Sequence, residues 1–498
     1  MSTDPQSASQ AATTITGETG LSLLDQAISV TKQTEPDRMK ELLATFAEAA
    51  MNDTVRFDKN LTLTLRDAVA KLDAQISQQL AAVMHHKRFL EVEGTWRGLR
   101  YLVDQTETGP DIKIKVLNTT KREISKDFEK YGKDQSVLYK KIYEEQLGMP
   151  GGQPFGSLIG DYYFGKGAED VQLLRDIAGV ASDAFCPFLS AAEPSMFGKD
   201  SFTEMSDGKA VTGQFEGPTS LKWNNFRKTP EAAFVTLTMP RVLARVPYGS
   251  ETKRVDSFNY EEAPFDAAGN PKSLGHDQYC WMNAAYALGT RLTSAFAEHG
   301  WCTAIRGAEG GGKVENLPTH IFKTDEGDVD AKCPTEIGIT SRRELELSNL
   351  GFLPLCHYKN EDYAVFFGAQ TTKKPEEYHN APDSDANAKI AARLPYVLAT
   401  SRFAHYLKIM ARDKIGTFME VEDCGKWLQS WISGYVNATD NAGQDQRAKF
   451  PLREALVKVT PVPGSPGEYA ATAWLRPWLQ FEALSTSMRL VAKIPKQA

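Results

Sequence analysis

The stretch FGSLIGDYYFGKGAEDVQLLRDIAGVASDAF, residues 155–185, contains the two patterns that decide the fold class. Its start, FGSLIGDYYF, is a short apolar and aromatic run typical of a buried strand. Its continuation, AEDVQLLRDIAGVASDAF, spaces its apolar residues as an amphipathic helix does. Upstream, IKIKVLN predicts a strand, and KREISKDFEKYG and SVLYKKIYEEQLG predict helices that end at Gly132 and Gly148. Strands that alternate with helices indicate a mixed α/β fold with crossover connections.

The composition of this 498-residue chain excludes several functional classes. A formal net charge of −7, without Lys/Arg clusters interleaved with aromatic residues, argues against a nucleic-acid binder. No apolar run approaches the roughly 20 residues that span a bilayer, and the N-terminus lacks the pattern of a signal peptide. The six cysteines are scattered without a CxxC pair, which favours reduced thiols. We therefore expect a soluble cytoplasmic protein without direct membrane insertion.

Changes in composition and residue pattern along the chain predict six segments. The first is rich in Ser, Thr, Gln and Ala and should be disordered. The fourth is rich in Gly, Pro and aromatic residues, which suggests an inserted domain. The segments are a disordered tail (1–20), a helical arm (21–90), a first core part (91–194), an inserted domain (195–386), a second core part (387–452) and C-terminal strands (453–498).

The predicted helical arm has a long apolar stripe, with Lys, Asp and Gln on the opposite side. The steps between apolar residues are mostly four and three, which is typical of a helix that docks on partner helices. Docking on the core of this chain is an equal alternative from periodicity alone. The stripe consists of Leu61, Leu65, Val69, Leu72, Ile76, Leu80 and Val83.

Alternating residues near the C-terminus predict three strands, EALVKVTPV, EYAATAWLRPW and SMRLVAKI, the first two joined by the turn-rich PVPGSPG. An isolated hairpin is marginally stable in water. These strands therefore either join a sheet of this chain or pair with strands of another chain. The candidate residues for a sheet between protomers are Leu456, Val457, Val459, Ala471, Ala473, Trp474, Met488, Leu490 and Ile494.

The segment EVEGTWRGLRYLV, residues 91–103, predicts a helix although it contains two glycines. Each glycine costs roughly 1 kcal/mol relative to alanine inside a helix, so something must offset them. Glu93 and Arg97 have the favourable i, i+4 order of an ion pair. We interpret the glycines as close-approach positions beneath the tryptophan. The resulting packing joint consists of Gly94, Trp96, Arg97 and Gly98.

The segment GAEGGGKV, Gly307–Val314, partly fits the phosphate-binding pattern G-x-x-x-x-G-K. Val314 stands where Mg²⁺ coordination needs a Ser or Thr hydroxyl. The following VENLPTHIF predicts an extended chain, whereas a phosphate loop opens a helix. We therefore favour a flexible or backbone-packed glycine turn and expect no cofactor, although a nucleotide-dependent protein remains a rival.

Residues that could bind a metal or act as nucleophiles are dispersed. The His and Cys groups around residues 85–86, 299–302, 333 and 356–357 do not repeat at zinc spacing. The sequence has no Gly-x-Ser-x-Gly, and its eight histidines place no base beside a nucleophile. We therefore expect neither a catalytic site nor a metal site.

Several long segments resemble one protein family, and together they cover about four fifths of the chain, from Glu91 almost to the C-terminus. They are EGTWRGLRYLV, PFGSLIGDYYF, NPKSLGHDQYCWMNAAYALGTRL, GWCTAIRGAEGGGKVENLPTH, PTEIGITSRRELELSNLGFLPLCHYKNEDYAVFF, SRFAHYLKIMARDKIG and TAWLRPWLQFEALSTSMRLVAKIP. The chain resembles the large sheath subunit of the bacterial type VI secretion system, the TssC/VipB/EvpB family.

The resemblance implies a structural protein rather than an enzyme. Members of this family pair with a small sheath subunit (TssB/VipA) and polymerise with neighbouring protomers into a helical sheath around the Hcp inner tube. Contraction propels the tube, its spike and effectors into target cells. The sheath stands on a membrane-anchored baseplate, and a ClpV-type AAA+ ATPase disassembles it. A contractile tail sheath of a prophage is the alternative.

The resemblance also implies how the parts of the chain are used. The core would resemble a phage tail-sheath domain. The helical arm would pack with helices of the small subunit through the stripe that begins at Leu61. The C-terminal strands would be exchanged between protomers.

Overall fold

The computed structural model describes residues 41, 44, 61–207, 210–250, 252–262, 274–323, 329–377, 382–414, 420–439, 441–461 and 469–478. The predicted disordered tail, the helices predicted before residue 60 (apart from residues 41 and 44) and the third C-terminal strand lie outside these residues. The chain divides into two compact units, one of residues 1–82 and 248–264, the other of residues 83–247 and 265–498.

The described helices alternate with strands, as the mixed α/β class requires. In chain order they are α1 (Leu61–Met84), α2 (Lys87–Asp104), α3 (Lys121–Tyr131), α4 (Val137–Tyr139, continued by a π-helix over Lys140–Gly148), α5 (Ala168–Asp183), α6 (Leu221–Arg227), α7 (Ala284–His299), α8 (Ser341–Asn349), α9 (Pro382–Ala391), α10 (Leu394–Asp413), α11 (Val421–Ser433) and α12 (Gln444–Lys449).

The described strands belong to one four-stranded sheet and several smaller ones. In chain order they are β1 (Leu158–Phe164), β2 (Phe188–Ala192), β3 (Val235–Met239), β4 (Val242–Leu243), β5 (Trp281–Met282), β6 (Lys313–Val314), β7 (His320–Lys323), β8 (Val329–Lys332), β9 (Phe352–Pro354), β10 (Cys356–His357), β11 (Ala364–Val365), β12 (Leu452–Pro461) and β13 (Tyr469–Pro477).

The four-stranded sheet is parallel and has the order β1-β2-β3-β9. Every residue of β2 and β3 is buried, as expected for the central strands of a parallel sheet covered on both faces. Side chains of successive residues point to opposite faces, so Phe188 joins the core that includes α5, whereas Leu189 joins the core that includes α7. This three-layer arrangement confirms the α/β class, and it confirms the strand and helix predicted from residues 155–185.

The same sheet contains strands from two segments that the sequence analysis predicts to be separate parts of the chain. Strands β3 and β9 lie in the predicted inserted domain, 195–386, and they complete the sheet that β1 and β2 begin in segment 91–194. Segment 195–386 is therefore part of the central sheet as well as the carrier of the smaller sheets. The bounds of the six segments stay a prediction.

The strand predicted for IKIKVLN is wrong, because residues 112–118 form no strand. Ile112 and Ile114 are half-buried while Lys113 and Lys115 are exposed. The Lys113 ammonium donates to the Gln153 side chain at 2.9 Å, so the segment is held by side chains. The alternation in the sequence thus reflects one covered side of an extended chain and not a hydrogen-bonded ladder.

The C-terminal part of the second unit has a core of its own. Helices α10 and α11 and the antiparallel hairpin β12–β13 surround an aromatic cluster in which Trp301 stacks on Phe403 with ring centroids 4.5 Å apart. The two predicted strands thus pair with each other, as a two-stranded sheet that packs on α11.

Candidate assembly surfaces

Helix α1 exposes the apolar stripe that the sequence predicts. The exposed fractions are 37% for Leu65, 54% for Val69, 56% for Leu72, 48% for Ile76 and 36% for Leu80. Ser77 and Met84, on a different side of the same helix, are buried, as is the small side chain of Ala68 next to the stripe. The helix therefore does not use its most apolar side for packing within the described chain. The side chain of Leu61 lies outside the described residues.

The hairpin β12–β13 has one covered and one open face. On the covered face, Val457 is buried, and Val459 and Ala473 pack with it against the cluster that includes α11. On the open face, Leu456 pairs with Trp474 across the strands, and their side chains are 57% and 51% exposed. Of the predicted contact residues that the structure describes, these two large apolar side chains are thus the ones available to a partner through the open face.

The two long edges of the hairpin also differ. On β12, the Gln429 side chain of α11 donates to the Ala455 carbonyl at 3.1 Å and accepts the Val457 N–H at 2.8 Å. This amide occupies the outer edge of β12 as a neighbouring strand would. The outward N–H and C=O groups of β13 belong to Ala471, Ala473 and Leu475, which face residues 459, 457 and 455 as non-hydrogen-bonded pairs. Within the part of the chain that the structure describes, no backbone bond outside the hairpin reaches them.

Two glycines of α2 bring this helix into direct contact with its neighbours. A Cβ on Gly94 would overlap the Trp281 carbonyl oxygen of β5, and a Cβ on Gly98 would overlap the Tyr286 ring of α7. Both positions therefore exclude any larger side chain, which is the physical reason for glycine inside this helix. At these positions α2 contacts the backbone of β5 and the side chains of α7.

A buried ionic group fixes the same helix. The Glu93 carboxylate accepts from the Arg97 Nε at 2.7 Å and from the Arg245 Nε at 2.6 Å, and Arg245 is 6% exposed. Burial raises the pKa of Glu93, but the hydrogen bonds and charges of Arg245 and Arg97 outweigh it, so the pKa lies below its ordinary value of 4.5. The carboxylate therefore stays ionised and links α2 to the segment after β4.

Trp96 does not take part in this contact, which corrects the predicted joint. Its side chain is 66% exposed and points away from the glycine side of α2. With Phe89, Val92 and Val103 it forms an exposed apolar line at heptad spacing. The sequence FLEVEGTWRGLRYLV contains this spacing. The prediction instead followed the glycines, which lie on the opposite side of the helix.

The glycine-rich segment 307–314 is packed by backbone groups. Gly307 and Gly311 have φ values of +76° and +89°, which favour glycine. The Gly307 N–H donates to the Phe366 carbonyl at 2.7 Å. Lys313 begins β6 and not a helix, and its ammonium lies 2.7 Å from the Glu315 carboxylate and 4.2 Å from the centre of the Tyr363 ring. This geometry favours the glycine turn over a phosphate loop.

Cys333 and His357, two of the residues considered for metal binding, have different hydrogen-bond partners. Cys333 follows β8, and its Sγ lies 3.2 Å from the Thr335 Oγ1, whereas the Nε2 of His357 on β10 lies 2.8 Å from the Glu361 carbonyl oxygen. No group of three or more His, Cys, Asp or Glu side chains that could hold a metal ion occurs among the described residues. No helix in the described ranges is long and apolar enough to cross a membrane.

Comparison with known proteins identifies the family. The family model "EvpB/VC_A0108, tail sheath N-terminal domain" matches residues 66–373, and "EvpB/VC_A0108, tail sheath gpW/gp25-like domain" matches residues 383–494. The chain is 44% identical over 478 residues to the type VI secretion system sheath protein TssC1 of Pseudomonas aeruginosa, which covers 95% of this chain and 94% of that protein.

Among solved structures, the contracted helical sheath of the anti-feeding prophage is similar over 65% of this chain and 76% of that chain, with 12% identity and a TM-score of 0.28. A similarity of this size adds nothing to the assignment, and the sequence matches favour the type VI family over a prophage tail sheath. The chain therefore belongs to the EvpB/VC_A0108 family of type VI secretion system sheath proteins and is a structural subunit of that contractile sheath.

Proposed function

We propose that this chain is the large sheath subunit that pairs with the small subunit (TssB/VipA) through α1 and connects to neighbouring protomers through β12–β13. The observation that carries the proposal is the open edge of β13 beside the exposed pair Leu456 and Trp474. An unpaired strand edge with an exposed apolar face is the arrangement that strand addition from a second chain completes.

The proposed sheath surrounds an Hcp tube in the cytoplasm, stands on a membrane-anchored baseplate, and is taken apart by a ClpV-type ATPase. Its subunit contacts are heterologous, so they propagate as an open helix without closing. Strand connections let protomers move as rigid bodies, because the main-chain hydrogen bonds persist while the flanking segments hinge. Contraction is then the passage from one packing of the protomers to another that buries more surface. In this scheme the six predicted segments keep the roles of arm, core, insertion and connector.

The contact with the small subunit is tested by charges on the apolar stripe of α1. Leu72→Asp with Ile76→Asp places two carboxylates in the proposed interface, where burial of unpaired charge is costly. We expect loss of co-purification with the small subunit. The matched control is Ala74→Asp with Gln78→Asp, two exposed positions on the other side of the same helix with the same spacing. Equal co-purification by both variants would refute this role of the stripe.

The connection between protomers is tested on the open face of the hairpin. Val457 and Val459 are unsuitable, because their side chains pack within this chain and charges there would disturb its own core. Leu456→Asp with Trp474→Asp changes the exposed face, and we expect heterodimers that no longer form sheath tubules in negative-stain images. Ile321→Asp is the control, since Ile321 is a 63% exposed residue of the separate hairpin β7–β8. Normal tubules from the double variant would exclude this face as a connector.

A further inference from the structure

The backbone N–H and C=O groups of residues 113–118 have no hydrogen-bond partner within the part of the chain that the structure describes. The neighbouring residues on both sides are bonded. The Gly109 N–H donates to the Ile112 carbonyl at 3.0 Å, and the Tyr162 hydroxyl donates to the Thr119 carbonyl at 2.8 Å. An extended run of unpaired N–H and C=O groups is what a free strand edge offers to another chain.

Side chains hold this segment in place without a ladder. The Lys113 ammonium donates to the Gln153 side-chain oxygen at 2.9 Å, and the Lys115 ammonium donates to the Gln146 side-chain oxygen at 3.4 Å. The Lys115 ammonium also lies 5.2 Å from the centre of the Phe155 ring. The segment is therefore positioned before a partner binds, which lowers the entropy cost of pairing.

The surroundings of the segment leave room for an added strand. Val116 is 67% exposed and Leu117 is 52% exposed. Successive side chains of an extended chain point to opposite sides, so both sides of this end of the segment are open. A cavity of about 430 Å³ adjoins the other end, where an apolar side chain of a partner would meet apolar walls. These walls include Ile112, Phe155, Trp301, Leu398 and Tyr406.

The charges on the segment indicate the chemistry of the partner. The ammonium groups of Lys113 and Lys115 donate to neutral amide oxygens, and neither forms an ion pair with a carboxylate of the described residues. Alternate side chains of a strand lie on the same side, and opposite charges on paired strands attract each other. Two carboxylates at alternate positions of an added strand therefore match the two lysines.

We propose that residues 113–118 are a strand-addition site for an extended segment of another sheath subunit that carries acidic side chains two residues apart. The segment pairs with the backbone along one edge, and its acidic side chains lie opposite Lys113 and Lys115. The site is separate from α1 and from the β13 edge, so it adds a contact to those of the proposed function. In the assembled sheath IKIKVLN is thus a strand, although it forms none within the single chain.

Hydrogen exchange of purified sheath tubules tests the site directly. An amide without a hydrogen bond exchanges at nearly the rate of an unfolded chain, whereas pairing along one edge protects alternate amides. We expect exchange at least about tenfold slower than that rate at alternate amides of residues 113–118, measured by mass spectrometry with residue-level fragmentation. Unprotected or uniformly protected amides would overturn the inference. The β13 amides are measured in the same spectra, so failure at 113–118 is distinguished from failure of the β13 contact.

Two proline variants test which edge is used. Successive N–H groups of an extended chain point to opposite edges, so Val116→Pro and Leu117→Pro each remove a donor from a different edge. Neither N–H is bonded within the described chain, so both variants should keep the thermal midpoint of the parent. We expect tubules to be lost in one variant and retained in the other, and retained in the control Val116→Thr, which keeps the N–H. Equal assembly by the two proline variants would overturn the inference, and if either variant does not fold, the exchange of the parent decides.

Carbodiimide coupling of the tubules tests the acidic character of the partner, because it joins an ammonium group to a carboxylate in direct contact. We expect peptides that contain Lys113 or Lys115 to be joined to an aspartate or glutamate of a second chain. The sequence of the coupled peptide identifies that chain as the small subunit or as another copy of this protein. Coupling of both lysines only to carboxylates of their own chain would contradict the proposed partner.

Discussion

The parallel sheet and the C-terminal hairpin are both β-structure, but their faces and edges are covered to different extents. The sheet is covered by α5 on one face and α7 on the other, and its central strands are buried throughout. The hairpin is covered by α11 on one face only and keeps an open edge at β13. The difference teaches that the sheet is complete within one chain, whereas the hairpin has the surfaces that a second chain can complete.

The largest difference in stability is expected when the same substitution, Leu to Ala, is made in the sheet and in the hairpin. Leu237→Ala in β3 removes a fully buried side chain and should lower the free energy of unfolding by about 2–5 kcal/mol. Leu456→Ala in β12, 57% exposed, should change it by less than about 0.5 kcal/mol. Chemical denaturation of both variants measures the difference. Equal losses would mean that the hairpin face is packed within the chain and would break the comparison.

A smaller loss is expected where α2 contacts the buried region. Gly94→Ala introduces a Cβ that overlaps a backbone oxygen, and overpacking costs about 1–3 kcal/mol. Because the overlapped atom belongs to the backbone, the cost should lie at the upper end of this range; the gain in helix propensity, about 1 kcal/mol, offsets part of it, so the net loss should be about 2 kcal/mol by thermal or chemical unfolding. Gly109→Ala is the control, because nothing lies within 4 Å of its Cβ position. No loss at Gly94 would show that the close contact is not required.

The attachment of the hairpin to α11 should depend on one side chain. Gln429→Ala removes both hydrogen bonds to the edge of β12, at about 1 kcal/mol each. Gln429→Glu keeps an acceptor for the Val457 N–H and loses the donor to the Ala455 carbonyl, so it should have an intermediate effect near neutral pH. Hydrogen exchange of the β12 amides measures the local opening. Unchanged exchange in both variants would contradict the role of Gln429 as an edge cover.

The smallest effect should be a difference in acid stability. The pKa of Glu93 is lowered in the folded chain, so its ionised form stabilises the fold above the ordinary value of 4.5, and this contribution is lost as the pH falls through the lower, folded value. Glu93→Gln should be less stable than the parent at neutral pH, and the gap should shrink below about pH 4.5. Thermal midpoints of the parent and the variant, measured across this pH range, test whether the stability difference shrinks on acidification. A gap that widens on acidification would contradict it.

Much of the central sheet could be predicted from the sequence, because burial leaves direct patterns. The run around Leu158–Phe164 and the helical spacing of Ala168–Asp183 both report covered residues. At residues 112–118 the alternation of apolar and polar residues also reflects a partly buried side of the chain, but this segment forms no strand. The strand prediction failed for that reason. Periodicity describes which side of a segment is covered and not what it bonds to.

The surfaces were predictable only in part. The stripe on α1 follows from local spacing, so it was found. Which hairpin side chains face α11 depends on how the hairpin is placed, so Val457 and Leu456 could not be told apart.

The central claim, that β13 offers its edge to a second chain, is tested most directly by proline. Ala471→Pro removes an N–H that points away from β12, so the hairpin ladder keeps its bonds while the open edge loses a donor. Ala471→Thr keeps that N–H and serves as the control at the same exposed position. Each variant is co-expressed with the small subunit, and tubules are counted by negative-stain microscopy. We predict heterodimers without tubules for Ala471→Pro and normal tubules for Ala471→Thr, whereas normal tubules from the proline variant would contradict the account.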